Sequence, residues 1–314
     1  MIAKIFEKFS YTSISISVVL CLIISYQYIQ LDFAWSFTNS KILKGILIFG
    51  SLMLTSYCIN SISSNFNLDR ANRNFLHLLL YPLVVLTYPV ETIDIRFILA
   101  STAVWSSWRN FRIFLETTNR EKRIKRVLDS TILASISSFL IIENIFLILI
   151  LVMSYITSNV KRDNRVLIIL FGAPIVLLIS FQIIASFISI DSFLYSSYLY
   201  GEDFKIKSNF SFALTAQLIP FLLILILYII SVILKFIKTK SSQRKILDLI
   251  GVFFCFGLIC FILMHENLSG SEFHYLSLPL VYMISQIFNK LNNSSLVNYI
   301  FIPIIISIIV FKQL

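Results

Sequence analysis

Five stretches of more than twenty residues in this chain run without a single charged side chain: residues 9–31, 45–68, 166–190, 208–234 and 291–311. Each is long enough to match the roughly 20 apolar residues that carry a helix across the ~30 Å hydrocarbon core of a bilayer. A soluble fold of 314 residues cannot absorb so many of them, because its surface must be dressed with polar groups. Only 13% of the chain is charged, against 58% hydrophobic. Soluble domains run at about 25% and about 45–50%. The apolar surplus must face hydrocarbon.

A backbone in lipid has to satisfy its own hydrogen bonds, which leaves helices and closed barrels. Apolar runs of this length read as helices, so the predicted fold class is all-α. The expectation is one transmembrane domain over residues 1–314, with about eleven spans and no soluble domain. The length rule places the spans at 12–30, 44–62, 75–90, 95–113, 127–142, 145–160, 166–190, 213–234, 247–264, 273–289 and 296–311. Lys4 and Lys8 precede the first run as they would in a signal peptide, but no small-residue cleavage site follows, so that span is read as retained. The fifth and sixth spans need an argument. Between Arg126 and Lys161 lie 34 residues, and a single helix of that length would be about 51 Å long. A turn at Glu143-Asn144 divides the segment into two short helices.

Sidedness follows from the basic residues. With the N-terminus in the cytosol, Lys4, Lys8, Arg70, Arg73, the run Arg109–Arg126, the loops Lys161–Arg165 and Lys235–Lys245, and Lys290 share the inner face. Of the 26 basic residues, the outer face keeps only Lys41, Lys44, Arg96, Lys205, Lys207 and Lys312. It also holds Asp32, Glu91, Asp94, Glu143, Glu266 and Glu272 among its acids. The C-terminus is expected outside, and the compartment this describes is a bacterial inner membrane. The net charge of +10 is therefore read as topology and attraction to anionic lipid, not as nucleic-acid binding.

Candidate chemistry is confined to a few places. On the outer face, Asp32, Glu143 and Glu272 are the carboxylates in position to act as a general base or metal-binding group. The turn HENLSGSEFHY gathers His265, Glu266, Glu272 and His274, a weak metal constellation that matches no closed zinc site. The segment from Asp191 to Phe212 interleaves tyrosines with acids, as an interfacial helix would. On the inner face, Arg70, Arg73, Arg109 and Arg112 are expected to contact lipid phosphates, and the basic run is expected to continue the fourth helix along the membrane surface. No Asp, Glu, Lys or Arg lies well inside a predicted span; Gln182, Gln217, Gln286 and Tyr57 are the midspan polar groups. Cys21, Cys58, Cys255 and Cys260 sit in apolar runs and read as packing residues. A nucleotide-binding glycine loop is absent and no cofactor is expected.

Three stretches, NLDRANRN at 67–74, NFRIFLETTNREKRIKRVLDSTILASISSFLI at 110–141 and NLSGSEFHYLSLPLVYMISQ at 267–286, resemble in order and spacing a family of multi-pass membrane proteins of Bacteroidetes. That family is known only as a domain of unknown function, so the resemblance implies fold and location. A weaker likeness joins the basic segment 109–126, the hairpin 127–160 and the basic loop after it to the C-superfamily glycosyltransferases, which use polyprenyl-phosphate sugars. Such enzymes carry an acidic residue or pair in a sizeable first outer loop; here LDFAWSFTNSK is short and offers Asp32 alone.

Three functions are therefore expected in order. The first is an envelope-biogenesis component that handles or scaffolds lipid-linked intermediates. The second is a divergent glycosyltransferase of the polyprenyl type, and the third an uncoupled transporter or lipid scramblase. Membrane lipids, a polyprenyl-linked glycolipid and other membrane proteins are the expected partners. Cysteine-reactive tags placed at residues 120 and 240 should react from the cytosolic side only. Labelling of both from outside intact cells would invert the assigned topology.

Overall fold

The computed structural model describes residues 6, 10–36, 38–66, 75–141, 144–158, 163–188, 212–238, 270–288 and 294–312. These are mostly helical. They divide into two compact units, residues 1–98 with 207–314, and residues 99–206.

In the first unit, α1 (Tyr11–Gln30) is followed by β1 (Asp32–Trp35), α2 (Lys41–Phe66), α3 (Leu76–Leu86) and β2 (Thr92–Asp94). The 22-residue α4 (Ile95–Glu116) begins here and runs on into the second unit. After residue 207 come α8 (Phe212–Lys238), a 3₁₀ helix (Ser271–Leu276), α9 (Ser277–Phe288) and α10 (Ser294–Lys312). Ser10 starts α1 with a capping box: its hydroxyl accepts the Ser13 N–H at 3.2 Å, and Ser13 Oγ accepts the Ser10 N–H at 3.3 Å. One face of α1 is then buried at Ser17, Cys21, Ile24, Ser25 and Tyr28, while Val19, Leu22, Ile23 and Tyr26 are exposed. All eleven residues of α3 are buried, as expected of a helix apolar all round. It packs against α1, α2 and α9, and α8 packs against α9 and α10.

The second unit takes the later part of α4, then α5 (Arg120–Leu140), α6 (Ile145–Thr157) and α7 (Asn164–Ile188). α4 and α5 form an antiparallel hairpin stitched along its length. Phe114 meets Arg123, Asn110 meets Arg126, and Ser107 meets Ser130. At the last of these the hydroxyls lie 3.1 Å apart and each donates to the other residue's carbonyl at 2.8 Å. Two backbones come this close only where the side chains between them are small. α5 packs on α6 and α7, and α6 on α7.

Both units keep an apolar core but differ from a water-soluble protein in what else is inside and what faces out. Serines and threonines are buried, and most return their hydroxyl to a carbonyl three or four residues back, as Ser25, Ser51, Thr131 and Ser135 do. Leucines and isoleucines face outward, most of all on α7, where Ile168, Ile175, Val176, Leu178 and Ile179 are exposed. Among the described residues, three helices are long and apolar enough to cross a membrane: Tyr11–Gln30, Lys41–Ile62 and Asn164–Phe181.

Within the expected span at 75–90 the helix covers Leu76–Leu86, eleven buried residues, about 16 Å long. The structure departs from the sequence reading in two places. The basic run does not continue the fourth helix. The chain breaks at 117–119, where the Asn119 side chain accepts the Lys122 N–H and starts α5 at Arg120. An all-α fold also leaves out a short parallel ribbon: β1 pairs with β2, Asp32 opposite Thr92 and Phe33 opposite Ile93. These strands have four and three residues, lie beyond the helix ends and carry no alternating pattern to announce them. The division of 127–160 into two helices matches α5 and α6, which are separate helices with the turn between Leu140 and Ile145. The expected span 247–264, with Cys255 and Cys260, lies outside the described residues; Cys21 and Cys58 are buried.

Replacing buried Ser130 by Leu should cost about 1–3 kcal/mol through overpacking of the hairpin. Replacing exposed Ile175 by Ala should stay within about 0.5 kcal/mol. Thermal unfolding of the purified protein in lipid nanodiscs separates the two.

Candidate functional site

Three chain segments distant in sequence meet at one end of the first unit. Ser271, the first residue of the 3₁₀ helix, accepts the Asp94 N–H at 3.0 Å and turns its own hydroxyl to the Thr92 carbonyl at 3.5 Å. It thereby ties the helix to the edge of β2, whose other side is paired with β1. Gly270 makes this approach feasible. It has φ of 85°, and a Cβ there would collide with the Pro89 carbonyl and the Val90 backbone, so glycine alone fits without strain.

The site that results is polar and closed from solvent. Asp94 is 3% exposed and caps the start of α4, accepting the Arg96 N–H at 2.9 Å. Arg96 also grips it side-on, with Nε 3.1 and 3.2 Å from the two carboxylate oxygens and Nη2 at 2.7 Å. This bidentate fork offsets the cost of burying the carboxylate. Glu272 is 2% and His274 3% exposed. His274 is enclosed by two tyrosines: Tyr28 Oη lies 3.3 Å from its Nε2, and the Tyr88 ring stands edge-on at 5.4 Å. Tyr88 shares a 2.8 Å hydrogen bond with Ser277 and stacks on Phe273, and Phe221 from α8 packs on both rings. The imidazole and the two phenols are thus packed together, with Glu272 buried two residues away on the same 3₁₀ helix, and in so closed a setting each polar group depends on its protein partners.

Of the residues predicted from sequence, Asp32, Glu272 and His274 are brought to this assembly. Asp32 is exposed on β1 across from Thr92, and Glu272 and His274 are buried in the 3₁₀ helix. Glu143, His265, Glu266, Arg70 and Arg73, and all of the segment 191–212 except Phe212, lie outside the described residues. Among the described residues, no three His, Cys, Asp or Glu side chains gather as a metal site. Arg109 and Arg112 sit one turn apart on α4, in the second unit, and Arg112 pairs with Glu116 at 3.1 Å. The sequence reading missed Tyr28, Tyr88, Asp94 and Ser271 as members of the site. The signal available was Gly270 inside a polar turn, together with tyrosines at the ends of two apolar runs.

The model of a family of unknown function, DUF6427, matches residues 1–314. The chain belongs to that family. No curated protein and no solved structure matches it. In this DUF6427 member a second feature lies away from the polar enclosure. A recess of about 160 Å³ is lined by Ile14, Ser17, Met53, Ser56, Tyr57 and Asn60 among others. The Asn60 side-chain oxygen meets His77 Nε2 at 2.8 Å, so the second described histidine is held by α2 and takes no part in the His274 enclosure.

Gly270→Ala in this DUF6427 protein should destabilise it by about 1–3 kcal/mol from the left-handed backbone alone, with the collision at Pro89 adding to that. Gly172→Ala, where a Cβ meets nothing within 4 Å, should be neutral or stabilising. Melting temperatures of the two variants in the same lipid provide the comparison.

Proposed function

We propose that this protein is a multi-pass inner-membrane component of cell-envelope biogenesis that handles or scaffolds lipid-linked intermediates at the outer face. In this reading it has about eleven spans, with the N-terminus in the cytosol. One observation carries it. The span order assigns residues 31–35, 91–94 and 270–272 to the outer face, and these are the segments that meet around Ser271, Asp94 and Thr92. The same order assigns 109–126 and 161–165 to the inner face, and there Arg120 approaches Asp163 to 3.6 Å. Outward-facing apolar side chains on α1, α2 and α7 support a lipid surrounding. Within it, the enclosure around Glu272 and His274 is the place where a polar headgroup or sugar finds hydrogen-bond partners.

A divergent polyprenyl-phosphate-sugar glycosyltransferase is the second reading. What favours it is that Asp32 and Glu272, both outer-face carboxylates by the span order, stand on one ribbon-and-helix assembly although some 240 residues apart in sequence. One would act as the base that deprotonates an acceptor hydroxyl.

Glu272→Gln and Asp32→Asn distinguish these readings in cells. Lipid extracts co-purifying with the wild-type protein should contain a polyprenyl-linked glycolipid, and Glu272→Gln should deplete it about tenfold, the order expected for losing one charge-assisted hydrogen bond. Under the enzymatic reading both variants should also accumulate the polyprenyl-phosphate-sugar donor. Wild-type protein that carries no such lipid, with variants whose lipid pools are unchanged, defeats both.

A further inference from the structure

The second unit holds a cation that its own side chains leave unneutralised. Arg123 lies on the first turn of α5, and its guanidinium carbon sits 5.2 Å from the centre of the Phe114 ring. Its Nε and Nη2 are shut off from solvent and meet no hydrogen-bond acceptor among the described residues. Buried donors on a charged group are costly to leave unmet, and native structures contain few of them. The edge in question is the one Arg96 uses in the first unit, where Nε and Nη2 together hold both oxygens of Asp94. Arg123 presents the same bidentate edge with no carboxylate on it.

Of the neighbouring acids, Glu121 is exposed to solvent and three others are engaged elsewhere. Glu116 pairs with Arg112 at 3.1 Å, Asp129 lies 3.9 Å from Arg126, and Asp163 is 3.6 Å from Arg120. The stretch 109–126 carries Arg109, Arg112, Arg120, Lys122, Arg123, Lys125 and Arg126 against Glu116 and Glu121, so the local field is strongly positive. The N-terminal end of the 21-residue α5 adds its own partial positive charge. Arg123 as a residue is only half-buried and its ring-stacked face holds it in orientation; its Nε and Nη2 are covered, so a ligand engages that edge by displacing what covers it.

We infer that Arg123, seated on Phe114 at the closed end of the α4–α5 hairpin, is the anchor of a phosphate-binding site. The ligand class is a phosphate monoester dianion, whose oxygens match a guanidinium fork and whose double charge suits a surface with several further cations. It is borne either by a lipid headgroup or by a small soluble molecule. The site is separate from the enclosure around His274 and does not depend on the function proposed for it.

Native mass spectrometry of the full-length protein in detergent tests this with phosphatidic acid, phosphatidylcholine and inorganic phosphate as probes. Wild type should retain phosphatidic acid over phosphatidylcholine, Arg123→Gln should lower that retention about tenfold or more, and Lys125→Gln, an exposed neighbour, should leave it unchanged. Arg123→Lys should fall between, since it keeps the charge and loses the fork. Retention that inorganic phosphate does not displace assigns the site to a lipid headgroup; displacement assigns it to a soluble phosphate. Arg123→Met separates binding from folding. In lipid-free detergent it should melt no lower than wild type, because it removes buried donors that have no partner, yet it should lose the phosphatidic acid. Equal retention by wild type, Arg123→Gln and Arg123→Met overturns the site, and so does a fall in melting temperature for Arg123→Met with lipid retention intact.

Discussion

The structure depends on how its buried hydroxyls are satisfied. In hydrocarbon there is no water to take an unmet donor, so a serine inside the protein must find its acceptor locally. Here most of them turn back to their own helix, as Ser51 does to Leu47 and Ser231 to Leu227. That leaves a small, neutral surface against which another helix can lie. Where two such surfaces meet, at Ser107 and Ser130, each hydroxyl instead crosses to the partner's carbonyl. Many large apolar side chains also face outward, most of all on α7.

In the first unit one buried carboxylate carries its own partner. Asp94 is buried because it caps α4 and is held by the Arg96 fork in the same turn of chain. Glu272 and His274 are buried because the 3₁₀ helix carrying them is pulled against β2 by Ser271, an approach that Gly270 alone among residue types permits. The enclosure is therefore a product of a backbone constraint. Tyr28 and Tyr88 then close around the imidazole from α1 and from the end of α3.

The second unit handles charge differently. Its arginines line the outside of a hairpin whose interior is aromatic, with Trp108, Phe111, Phe114 and Tyr155 in successive contact. Long basic side chains can lie over such a floor and keep their heads at a polar boundary. Three of them find acids and Arg123 finds a ring. The two units thus offer two kinds of polar chemistry, one buried around His274, the other basic and partly exposed along α5.

Sequence alone determined the helical class and the helices able to cross a membrane. Charge-free runs of bilayer length are hard to bury in water with 314 residues, so a mostly helical chain with helices able to cross a membrane followed from counting, and three such helices are present among the described residues. The helices α1, α2 and α7 are where that count is most direct, and the turn dividing α5 from α6 followed from comparing chain length with bilayer thickness. The candidates Asp32, Glu272 and His274 were legible as polar residues in an apolar chain. Their meeting was not, because β1, β2 and the 3₁₀ helix carry no periodic pattern and are joined by contacts across long sequence separations. The partners Tyr28, Tyr88 and Ser271 were hidden for the same reason, as was the edge of Arg123. Whether a polar group in a membrane protein is exposed, satisfied or waiting for a ligand depends on which backbone lies beside it, and only the tertiary structure decides that.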